Sequence, residues 1–154
     1  MYTQRLPALG EAINEWGCAL MSIVAAVSVL RPHAHLSPRH VKGIVNRAQR
    51  EGAIDDEISI LRWGRVFEML GIDVQYHGHI RRDWIPGDGE LAITKWVLKI
   101  PHENIDWTHF TLGDGAGKDH PFYDPWGAAT GYRTSRTVAE GVMDSKRGFS
   151  ISEE

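Results

Sequence analysis

Residues 19–30, ALMSIVAAVSVL, constrain this chain more than any other stretch. At helical spacing Leu20, Ile23, Val24, Val27 and Leu30 form one stripe, while Met21, Ala25, Ala26 and Val29 make the remaining faces apolar too. A helix with no polar face belongs inside a core. Arg31-Pro32 ends it, because the residue before a proline avoids helical angles. Asn14, Glu15, Trp16 and Gly17 precede it, which puts Cys18 in its first turn. A cysteine therefore opens the helix around which the rest must pack.

Ser37-Pro38 supplies an N-cap followed by proline at the first helical position. The second helix it starts runs through Val41, Ile44, Val45 and Ala48 to Gly52, with a basic outer face. A third is expected from Ser59 through Leu61, Trp63, Val66, Phe67 and Leu70 to a cap at Gly71. Beyond Gly71 the period changes. VQY at 74–76, ELAITKWVLKI at 90–100, THFTL at 108–112 and HPFY at 120–123 are β-branched or aromatic runs between turn residues, and are expected to form one antiparallel sheet. Further strands are expected at Tyr132–Thr137 and Phe149–Ile151.

Helices followed by strands describe an α+β domain. With 154 residues the chain buries enough apolar surface for one core without disulfides or a structural metal. We read a single domain, 1–154: a helical part over about 14–71, a sheet part over about 73–137, and a tail over 138–154. A formal net charge of −3 offers no basic field for nucleic acid. No charged segment leads into an apolar run and no stretch approaches eighteen apolar residues, so neither a signal peptide nor a membrane partner is expected, and the cytoplasm is the default location.

One cysteine can make neither an internal disulfide nor a CxxC zinc site. Cys18 is then a small buried side chain, the commonest fate of an isolated cysteine in an apolar helix, or an incidental thiol, or a nucleophile. Its position favours the last. Thiolate, not thiol, attacks a carbonyl carbon, and the unpaired amides at a helix start favour the negative charge. Amides beside the nucleophile also build oxyanion holes, which Asn14 or Trp16 would complete here.

Such a nucleophile needs an imidazole. Among eight histidines, His109 stands at the start of an expected strand, WTHFTL, turned to the face opposite Phe110. Asp124 ends another strand, PFYDPWG, and two neighbouring strands joined by the Gly-rich loop 113–119 would bring its carboxylate to the ring and fix the tautomer. Asp114 is a rival acceptor, closer in sequence. The plainer alternatives are a half-buried strand histidine and an Asp-Pro turn.

His33, His35 and His40, with His77 and His79, suggest a metal, but His33 and His35 flank a loop after Pro32 and no cysteine partners are near, so we expect no metal and no cofactor. GDGAGKD at 113–119 fails the phosphate-loop spacing and has Asp119 where Ser or Thr belongs after the lysine; it reads as a loop over the site. Of six tryptophans, Trp63 and Trp96 fall on core faces. Trp16, Trp107 and Trp126 are expected to line a substrate groove.

Taken together, NEWGCALMSIV, THFTLGDG and FYDPWG resemble the papain-like cysteine peptidases, closest in pattern to compact bacterial domains of the bacteriocin-processing type. Cys18, Ser22, His109, Phe110, Asp124 and Pro125 match in order, over residues 12–127. Two positions depart: the family's glutamine ahead of the cysteine is replaced, with Ala12 six residues before and Asn14 four before, and the glycine after it is Ala19. The resemblance implies a papain-like fold and a cysteine hydrolase with Cys18 as nucleophile, His109 as base, Asp124 as its orienting residue and Asn14 as oxyanion donor. Its substrate would be a peptide, a protein or a peptidoglycan stem, the last in a phage or bacterial setting, or a small amide that releases ammonia. The departures leave open an inactive binding module with the same fold.

Overall fold

The computed structural model describes residues 2–33, 36–80, 84, 86, 90–102, 105–113, 121–126 and 136–151. The all-apolar segment forms helix α2, Cys18–Leu30, with every residue from Ala19 to Val27 buried. A short helix α1, Glu11–Trp16, leads into it. Helix α3, Pro38–Glu51, is capped as its sequence demands: the Ser37 side chain accepts from the His40 amide, and Gly52 closes the helix at φ 77°, a left-handed conformation that glycine adopts without strain.

Helix α4 is Trp63–Met69 and starts four residues later than the expected Ser59. The residues before it are held in a tight loop. Asp55 Oδ1 accepts from the Glu57 and Ser59 amides, Ile58 has a positive φ of 59°, and the amides of Leu61 and Arg62 both donate to Ala53 O. An aspartate that bonds amides two and four residues ahead competes with the helix, and here it wins.

The strands are β1 Val74–Ile80, β2 Glu90–Ile100, β3 Ile105–Gly113, β4 Pro121–Tyr123 and β5 Val142–Ile151. Among the described residues they form one antiparallel sheet in the order β1-β5-β2-β3-β4. The molecule is thus α+β. Two expectations for the C-terminal region need correction. Residues 132–135 of the expected strand Tyr132–Thr137 lie outside the described residues, and Arg136 and Thr137 open helix α5, Arg136–Glu140. Phe149–Ile151 is only the end of a ten-residue strand that runs between β1 and β2. Its earlier part reads as surface because of Lys146 and Arg147, yet both are buried: Lys146 Nζ donates to the Trp84 carbonyl and the Arg147 guanidinium lies over two aromatic rings.

The core lies between α2, α3 and α4 and one face of the sheet, where Leu91, Ile93, Leu112 and Phe149 meet them. Phe149, 1% exposed, is its aromatic centre, with ring centroids 4.6 Å from Phe67, 5.2 Å from Tyr76 and 5.9 Å from Trp63. Truncating so enclosed a ring leaves a cavity in addition to the lost transfer energy. Phe149→Ala is expected to lower unfolding stability by about 3–5 kcal/mol in urea denaturation; a loss below about 1 kcal/mol would place Phe149 outside the core.

Candidate active site

Cys18 owes its position to Gly17. The chain stays almost helical from α1 into α2: the Gly17 amide donates to Ile13 O at 2.9 Å and the Met21 amide to Gly17 O at 2.8 Å. A Cβ on Gly17 would stand 2.5 Å from Ile13 O and 2.7 Å from Ile13 Cγ2. Only glycine fits a backbone approach that close, and it sets Cys18 as the first residue of α2. Ser22 Oγ donates back to the Cys18 carbonyl at 2.8 Å, and the cysteine itself is partly buried.

His109 sits in the middle of β3, opposite Trp96 on β2, rather than at a strand start, because the strand begins at Ile105. The pairing Leu112↔Tyr123 between β3 and β4 then delivers Asp124 to it. His109 Nε2 and Asp124 Oδ1 are 2.6 Å apart, with the two residues 6% and 4% exposed. The same Oδ1 accepts from the Trp126 amide at 2.9 Å, which fixes the carboxylate. Cys18 lines the same cleft as the ring and helps to hold its proton. With Nε2 committed to Asp124, Nδ1 is the ring nitrogen left for the thiol. The rival Asp114 lies outside the described residues.

The expected role of Asn14 needs correction. Its side-chain amide donates to Gln4 O at 2.6 Å and to Leu6 O at 2.8 Å, so both its N–H groups are spent on backbone. What it holds in place is Gln4. The Gln4 side chain, 2% exposed, donates from Nε2 to Asn14 O at 3.1 Å and lines the same cleft as Cys18, while its Oε1 is buried without a partner among the described residues. One Nε2 hydrogen is left for a ligand. No sequence signal marks Gln4: it lies in a non-periodic N-terminal segment, far ahead of the family position at which a glutamine is sought.

Trp16, Trp107 and Trp126, 53%, 38% and 44% exposed, line this cleft of about 910 Å³ with Gln4, Cys18 and His109. Trp63 and Trp96 are buried, Trp63 at the wall of the same cleft and Trp96 away from it, donating from Nε1 to Thr111 Oγ1. Of the histidines considered for a metal, His77 bonds Ser150 Oγ, and His35 lies outside the described residues.

Burial alone would lower the His109 pKa, but the hydrogen bonds with Asp124 and Cys18, and the charges of the two, outweigh it and raise the ring to about 9. The site thus holds an imidazolium between two groups able to carry negative charge. In long-range proton–nitrogen NMR spectra both His109 nitrogens are expected to stay protonated through neutral pH, with a midpoint near 9 that falls in Cys18→Ala. The folded value lies above the ordinary 6.5, so the stability contributed by the charged ring is fully present below about pH 6.5 and is lost as pH rises through about 9. The melting temperatures of the native chain and His109→Gln therefore converge over that window; a ring titrating at or below 6.5 would mean that burial dominates. Comparison with family models, curated proteins and solved structures finds no match to this chain.

Proposed function

We propose that the chain is a papain-like cysteine hydrolase that cleaves a peptide or amide bond. The observation that supports this reading best is the buried His109 ring, bonded to Asp124 and sharing the wall of an open cleft with Cys18. A structural ion pair needs neither the third group nor the cleft.

In the reaction the Cys18 sulfur, its proton held on His109 Nδ1, attacks the carbonyl carbon as a thiolate while the C=O π pair moves onto oxygen. The free Nε2 hydrogen of Gln4 is the side-chain donor suited to that oxyanion. When the tetrahedral adduct collapses, the C–N bond breaks and the leaving amine takes the proton from the imidazolium. Water then gives a proton to His109 and adds to the thioester carbonyl; the C–S bond breaks, the acid leaves, and the thiolate is restored beside the protonated ring. Asp124 stays ionised and holds the tautomer that presents Nδ1 to the sulfur.

The exposed tryptophans of the cleft suit an extended peptide, whether part of a protein or of a peptidoglycan stem, and they also favour a second reading, a binding module that retains the fold without turnover. Two measurements separate the readings. Iodoacetamide is expected to modify Cys18 at neutral pH at least about tenfold faster in the folded chain than in urea, an advantage that His109→Ala removes. On a pool of fluorogenic peptides, Cys18→Ala is expected to abolish cleavage and Gln4→Ala to lower kcat by about 10²–10³. Labelling no faster than in urea, together with no cleavage by the native chain, would leave the binding module.

A further inference from the structure

Arg147 is a buried cation in the cleft wall that the chemistry above does not use. It lies on β5, across from Ile93 of β2, and is 7% exposed. Its guanidinium carbon stands 5.0 Å from the ring centroid of Phe110, the residue after His109, and 5.8 Å from that of Trp63. Phe110, Trp63 and Arg147 all line the cleft that holds Cys18.

A guanidinium withdrawn from water is costly unless its N–H groups and its charge are matched. Here the match is incomplete. NH1 donates to Ser145 Oγ at 2.7 Å, and Ser145 passes on to the exposed Asp144 at 3.1 Å, so the counter-charge is reached only through a hydroxyl. Nε is buried with no partner among the described residues. No carboxylate within those residues forms an ion pair with Arg147, although Glu15, Glu57 and Asp106 line the same cleft. Burial accordingly pulls its pKa down, against the opposing influence of Tyr76 and Asp144. The aromatic rings favour the cation and hold the planar group flat, but they accept none of its hydrogen bonds in its own plane.

A rigid planar fork with an unspent N–H, in the lining of the cleft that also holds His109, matches the two oxygens of a carboxylate. We propose that Arg147 is the specificity residue of the cleft and that the substrate is a peptide carrying a carboxylate close to the bond cleaved. The carboxylate completes the guanidinium's hydrogen bonds, and its charge meets a cation already stripped of water. The inference rests on the hydrolase reading for the term substrate; as a statement about binding it does not need turnover. Either an Asp or Glu side chain or the α-carboxylate of a peptide end supplies this group.

The test is binding to the Cys18→Ala chain, read by affinity selection and mass spectrometry. The probes are three matched pools of N-acetylated hexapeptides: amides with one Glu, the same amides with Gln in its place, and the Gln pool as free C-terminal acids. The expected result is about tenfold or greater enrichment of one acidic pool over the Gln amides. Glu amides enriched identify a side-chain carboxylate, and free acids a peptide end. Arg147→Gln in the same background is expected to erase the preference, and Arg147→Lys, which keeps the charge but loses the fork, to retain only part of it. Arg147→Met, which keeps the buried stem, replaces Arg147→Gln if the latter fails to show the native melting transition. Equal capture of all three pools, or a preference that survives removal of the guanidinium in a folded variant, overturns the proposal. A preference that persists where the native chain cleaves nothing would remove the hydrolase reading and leave Arg147 as a carboxylate anchor.

Discussion

The buried pair of His109 and Asp124 sets the terms for the rest of the molecule. Two ionisable groups with so little exposure are tolerable only if their geometry is excellent and their remaining hydrogen-bonding capacity is met. The 2.6 Å contact supplies the first and the Trp126 amide part of the second. Keeping Asp124 there requires more than the three-residue strand before it. Tyr123 donates its hydroxyl to Tyr2 O at 2.7 Å, and the Gln4 amide donates to Pro125 O at 3.0 Å, so the N-terminal segment straps the carboxylate's loop from both sides.

The same strap carries Gln4 into the cleft. Tyr2 donates its hydroxyl to Leu36 O, and Asn14 grips the carbonyls of Gln4 and Leu6, so residues 2–6 are tied to α1, to the entry of α3 and to the Asp124 loop together. A non-helical segment that depends on such bonds, beside the core packing of Tyr2 and Leu6, is a low-stability unit when they are broken. Its hold on Asp124 and its delivery of Gln4 are therefore one structural event. Loosening any part costs the site both an orienting acceptor and an amide donor.

How much of this was legible follows from what each residue needs from its neighbours in sequence. The α2 core helix, the Ser37 cap and strand β2 are local patterns, and they fall where their residues predict. The ordering of Cys18, His109 and Asp124 in the chain suggested a constellation, and the pairing of β3 with β4 supplies the contact that no spacing could give. Three things were hidden. Asp55 diverts the start of α4 by a side-chain bond that outweighs helical periodicity. The buried cations of β5 look like solvated surface because their compensation, a distant carbonyl and two aromatic rings, is entirely tertiary. Gln4 was hidden because a side chain presented by a strap has no period at all.

The mistaken role for Asn14 shows why a donor type alone is weak evidence. An amide side chain four residues before Cys18 lies on the short helix that leads into it. It has two N–H groups, and the same helix approaches a chain segment whose carbonyls would otherwise go unpaired. Backbone acceptors fixed by the fold are present at all times, whereas an oxyanion exists only during reaction, so an amide able to reach two such carbonyls is claimed by them. Gln4 escapes that fate because one bond, to Asn14 O, is enough to aim its side chain. Among the described residues its Oε1 has no partner, so they do not satisfy the group completely. Incomplete satisfaction of a buried polar group, at Gln4 as at Arg147, is the physical mark by which the cleft separates residues that hold the structure from residues free to meet a ligand.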